Sequence, residues 1–141
     1  MDVQVNLWAV LLAALSSMVV GSIWYSKGVF GTVWGKLAKV DMSGTPKSSE
    51  MAWLLGTTFV ASLITAYVLA HVTYLANRFF GNSFVSDALQ TAFWLWLGLT
   101  AARVYVHDAF ESRPTKLTVL TTGHELVTLL LMGLIIGLMG V

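Results

Sequence analysis

The sequence predicts an all-α integral membrane protein: a bundle of four membrane-crossing helices, with a short amphipathic helix in the interface between the first and second. Three observations carry this. The 141 residues are 57% hydrophobic and only 11% charged, where a soluble domain carries about 25% charged residues. The apolar residues fall into four runs near the roughly 20 residues that a bilayer crossing needs. The links between those runs are short, so the chain reads as one domain with little mass outside the bilayer.

The first span covers about residues 5–25. The N-terminus carries Asp2 and no basic stretch, so this run reads as a retained helix and not as a cleaved signal. Ala9, Ala13, Ser17 and Gly21 recur every four residues, which gathers them on one face where a second helix can approach closely. Trp24 and Tyr25 close the span with the ring types that suit a headgroup boundary. Residues 28–40 then place Phe30, Val33, Trp34 and Leu37 at helical spacing beside Lys36 and Lys39. That pattern predicts a helix lying flat, rings toward the acyl chains and lysines toward lipid phosphates. A polar link with Gly44 and Pro46 follows.

The second span covers about residues 51–74, with Ser62, Ala66 and Ala70 as another small-residue stripe. Gly81 and Asn82 predict a turn, and Ser86 a helix N-cap with Asp87 near the positive helix end. The third span covers about residues 88–108; Arg103 and His107, four apart, share one of its faces with Trp96. Pro114 suits the start of the last span, residues 117–141. There Thr118, Thr121, Thr122, Glu125 and Thr128 form a polar stripe, and Gly133 and Gly137 a close-packing pair on an adjoining face.

Six lysines and arginines lie in links one and three (Lys27, Lys36, Lys39, Lys47, Arg113, Lys116) against Arg78 alone in link two. The positive-inside rule places links one and three in the cytoplasm and both termini outside. The net charge of +1 shows no basic patch for nucleic acid. With zero cysteines, disulfides, thiolate metal sites and cysteine nucleophiles are excluded. Neither a Gly-x-Ser-x-Gly nor a phosphate-loop or dinucleotide signature occurs, so no catalytic activity and no cofactor is inferred.

Two stretches together resemble one family. They are Gly21-Ser-Ile-Trp-Tyr-Ser26 with Phe30-Gly31 and Trp34, and Phe110 to Arg113 with Lys116-Leu117, Gly123, Leu126-Val127, Met132-Gly133 and Gly137. The resemblance, across essentially the whole chain, is to the four-helix membrane proteins grouped as "domain of unknown function 1761". It implies a fold and no activity. The chain departs from the family pattern at Lys27, where proline is usual, and at Gly123-His124-Glu125, where Gly-Tyr-His is usual.

Ionisable groups within apolar spans mark the candidate site: Arg103, His107, Asp108, His124 and Glu125. One reading is an Arg103–Glu125 ion pair locking spans three and four together. A second is a solute or proton site at the same two residues. A third is a metal site from His107, Glu111, His124 and Glu125, disfavoured by the nearby Arg103 cation. The small-residue stripes favour a protein acting through helix contacts in the bilayer, as a homo-oligomer or an accessory subunit of a larger assembly. A small-solute or proton-coupled transporter is the alternative.

Overall fold

A computed structural model describes residues 3–40, 44 and 47–141. The described residues are helical and contain no strand. Most of the polar link after the expected interfacial segment, including Pro46, and the acidic Asp2 lie outside them.

Helix α1, Leu7–Trp24, starts where Asn6 turns its side-chain oxygen onto the amides of Trp8 and Ala9, at 3.1 and 3.2 Å. This satisfies two donors that a helix start otherwise leaves open. Helix α2, Gly31–Ala38, ends at Lys39 in a left-handed conformation with φ 56°. Helix α3, Ser48–Phe80, outlasts the expected span at both ends, because no residue between Tyr74 and Phe80 breaks a helix. It stops at Gly81, whose φ of 67° is open to glycine without a Cβ penalty.

The next helix begins at Phe84, not after Ser86. Ser83 is the N-cap, and its hydroxyl accepts from the Ser86 amide at 3.2 Å. Helix α4, Phe84–Leu95, runs without a break into a π-helical segment, Trp96–Ala101, and then into α5, Ala102–Phe110. Helix α6, Thr115–Met139, starts directly after Pro114. Three helices, α1, α3 and α6, are long and apolar enough to cross a membrane, which is consistent with a membrane protein. The expected third span lies in the α4–π–α5 rod, where the change of winding divides it into shorter α-helical pieces.

Helix α6 packs between α1 and α4, and α3 packs against the same two helices. The core is built largely from small side chains, Ala9, Ala13, Ala14, Ala66, Ala70 and Ala92, filled by Leu69, Leu129, Met132 and Ile136. Small residues set close axes, so dispersion contacts rather than bulk hold the interface. Ser17 and Ser62 add a hydroxyl–hydroxyl bond of 2.8 Å between α1 and α3. Gly133 and Gly137 press on α4: a Cβ on Gly137 would lie 2.7 Å from the Val85 Cα. The small-residue stripes read in the sequence are therefore occupied within this chain.

Burial is uneven along the helices. On α3 the buried residues are Ala66, Leu69, Ala70 and Thr73, while residues 48–58 are exposed throughout. On α5 only Asp108 is buried. The helices thus pack tightly at the end holding the start of α1 and the last turns of α6, and open toward the end holding α2 and the α5–α6 turn. Leu15, Val19, Ile23, Leu54, Val60 and Ile64 are among the large apolar side chains left exposed.

Candidate functional site

The most chemically distinctive cluster forms where α1 ends and α2 begins, against the first half of α6. After Trp24 the chain reverses tightly: the amides of Val29 and Gly31 donate to the Ser26 carbonyl at 3.1 and 2.9 Å, and Phe30 donates to the Trp24 carbonyl at 3.1 Å. The reversal needs glycine at position 31, since a Cβ there would collide with the Tyr25 carbonyl oxygen. The turn folds α2 back so that its rings meet those of α1. Phe30 packs against Trp24 with centroids 4.7 Å apart and planes tilted by 46°, and Trp34 meets the Tyr25 ring edge-on at 5.2 Å.

His124 completes the cluster from α6. Its imidazole lies 5.0 Å from the Tyr25 ring and 6.0 Å from the Trp24 ring. Two glycines permit this approach: Gly21 faces His124, and Gly123 faces the Trp24 indole. His124 Nδ1 lies 3.2 Å from Glu125 Oε1, and Nε2 lies 3.5 Å from the Thr128 hydroxyl. A hydrogen on Nδ1 lets the imidazole donate to the carboxylate, and a second on Nε2 makes a charge-balanced pair. The His124 side chain is 14% exposed and that of Glu125 is 39% exposed, so the carboxylate is the accessible member. Trp24 Nε1 is buried beside them with no hydrogen-bond acceptor. Trp96, at the start of the π segment, donates from Nε1 to the Thr122 carbonyl at 2.8 Å. That bond fastens the α6 turn just before His124.

The structure separates the five residues read together from the sequence. Arg103 and His107 are exposed, and Arg103 makes no ion pair with Glu125. The cause is the π segment. It has the effect of one extra residue in the rod, so the positions turned toward α6 beyond it are Val104 and Asp108 rather than Arg103 and His107. Asp108 accepts from the Thr118 hydroxyl at 2.7 Å and lies 3.8 Å from Arg113 Nε, which also pairs with Glu111. These contacts fix the α5–α6 turn. His124 and Glu125 belong instead to the α1–α2 cluster.

The metal reading loses its geometry for the same reason. Among the described residues no group of three or more His, Cys, Asp or Glu side chains could hold an ion, and His107, Glu111, His124 and Glu125 do not converge. Lys36 and Lys39 are exposed on and after α2. Trp24, Tyr25, Phe30 and Trp34, read from the sequence as interface rings, are partly buried on one another and on His124. The available signal was the pairing of Gly21 and Trp24-Tyr25 with Gly123, since both stretches carry the resemblance noted above. A second polar network, Asn77, Asn82 and Asp87 at the α3–α4 turn, was also not read from the sequence.

No curated protein and no solved structure matches the chain. The model of one family, described as "Protein of unknown function (DUF1761)", matches residues 8–137. That match takes in α1 from its second residue, the aromatic turn, the π segment and α6 to within two residues of its end. The chain belongs to the DUF1761 family of proteins of unknown function.

Proposed function

We propose that the chain is a four-helix membrane protein, with the α4–π–α5 rod as its fourth crossing, that binds a small cationic solute or carries protons at His124–Glu125. The observation that carries this is a carboxylate ten residues into a membrane-length helix, with a histidine and no cation beside it. Such a group is costly in hydrocarbon unless it is paired or reached by water, and it marks a solute or proton path by default. The sequence offered Arg103 as the partner of Glu125, and Arg103 lies elsewhere. The Tyr25 ring and the Glu125 carboxylate together suit an organic ammonium group, one through its π face and the other through its charge.

In this reading both termini face outward and links one and three face the cytoplasm, as the charge bias requires. Helix α2 lies in the cytoplasmic interface with Lys36 and Lys39 toward phosphates, each contributing about 1 kcal/mol against anionic lipid. No enzymatic step is assigned. Because the chain has no cysteine, a single Thr121→Cys change gives a unique thiol one helical turn from Glu125. A membrane-impermeant maleimide applied from the cytoplasmic side labels it, and leaves Val19→Cys on the lipid face unlabelled. Glu125→Gln removes the titrating group and abolishes any proton flux in proteoliposomes. An unreactive Thr121→Cys, with flux absent from the parent protein, overturns the proposal.

A second reading, contact with another copy or another membrane subunit, draws on residues 48–58 of α3 and on most of α5, whose side chains are exposed among the described residues. It predicts cross-links through Leu54→Cys in native membranes. Recovery of monomer alone excludes it.

A further inference from the structure

We infer that the cleft between α3 and α4, beside the turn that joins them, is a headgroup site for an amine-bearing lipid such as phosphatidylethanolamine. The cleft has a volume of about 250 Å³, and Asp87 is the only charged side chain among the residues that line it. The residue is 2% exposed. Its two carboxylate oxygens each accept one amide hydrogen, from Asn77 at 2.8 Å and Asn82 at 2.9 Å. Those donors are neutral, and among the described residues no lysine, arginine or histidine pairs with Asp87. A carboxylate oxygen has two lone pairs, so each retains one acceptor site.

The rest of the lining matches an ammonium group. Gln90 donates through Nε2 to the Ser86 hydroxyl at 3.1 Å, which leaves its carbonyl oxygen free to accept. Thr91 adds a hydroxyl. Asp87, Gln90 and Thr91 lie within two turns of one helix and offer three acceptors to the three N–H donors of a primary ammonium. Phe80 and Trp94 also line the cleft and are 66% and 64% exposed, so their rings are available to a cation. Val72, Ala76 and Leu95 supply an apolar wall along which an acyl chain can lie. The occupant is thus both cationic at its head and apolar below, and in a membrane the abundant molecule of that kind is an amino-lipid. A quaternary choline head has no N–H to give the three acceptors, so it fits less well. The inference rests on the membrane reading above and not on the His124–Glu125 site.

The test is native mass spectrometry of the full chain released from nanodiscs of equal phosphatidylethanolamine, phosphatidylcholine and phosphatidylglycerol. The expected result is retained phosphatidylethanolamine, enriched over phosphatidylcholine on the order of tenfold, a ratio equivalent to about 1.4 kcal/mol. Asp87→Asn removes the enrichment. Should that variant fail to fold, the exposed-rim pair Trp94→Ala and Gln90→Leu, outside the core, reduces it instead. Equal retention of the three lipids, retention unchanged in all variants, or an Asp87-dependent dimer with no lipid overturns the assignment. A chain that does not enter nanodiscs overturns the membrane reading itself, and flux through Glu125 stays a separate measurement.

Discussion

Gly31 and Gly137 show how single residues set the fold. A Cβ on Gly137 would lie 2.7 Å from the backbone of α4, and a crowded core answers such an insertion with displaced backbone at about 1–3 kcal/mol. Gly137→Ala is therefore expected to lower the melting temperature in detergent, while the α1–α2 cluster keeps its geometry. Gly31→Ala does the reverse. It opens the turn under α2, exposes Trp24 and Tyr25, and shifts tryptophan fluorescence with little change in helix content. The sequence made the Gly133–Gly137 face legible through spacing alone. It did not say which helix that face would meet, because periodicity fixes direction around an axis and not the identity of a neighbour. Trp24 and Trp34 were opaque for a related reason: an indole serves equally at a lipid boundary or against another ring.

Among the elements, the α5–α6 turn depends on one buried bond. Thr118 donates to Asp108 at 2.7 Å, and both residues are buried. Thr118→Val keeps the shape and removes the donor, leaving the carboxylate short of a partner. A cost of about 1–3 kcal/mol is expected, measurable by thermal melting, with Asp108→Asn/Thr118→Val less than the sum of the single changes. At the other end, Ser83→Ala removes the α4 cap at about 1 kcal/mol. The main helices and the short α2 were legible from apolar run length and turn residues. The π segment was not. Trp-Leu-Gly-Leu-Thr-Ala carries no mark of altered winding, so the sequence reading carried an ordinary helix through it and placed Arg103 on the wrong face.

For the whole molecule, the charge bias makes a definite statement about sidedness. Exposed Gln4 and Thr115 stand at opposite ends of the helix stack. In sealed vesicles of known orientation, an impermeant thiol reagent is expected to reach Gln4→Cys from the outside and Thr115→Cys only from the cytoplasmic side. Labelling of both from one side rules out the proposed arrangement. The uneven packing carries a related expectation. Amide hydrogen exchange is slowest in residues 66–73 of α3 and 129–137 of α6, where the core sits. It is faster through residues 48–58, whose side chains are exposed among the described residues.

The π segment makes residue number in the third rod a rotational variable. One residue of an α-helix turns the chain by about 100°. Removing a single residue from the segment, for example Gly98, takes out the residue that its wide turns absorb, so ordinary winding returns and Asp108 keeps facing α6. Adding one residue beyond the segment, for example an alanine after Ala102, is expected instead to swing everything after it by that angle. Arg103 then takes the place of Val104, and Asp108 turns outward. Such an insertion behaves as a dial, with the overall helix content almost unchanged.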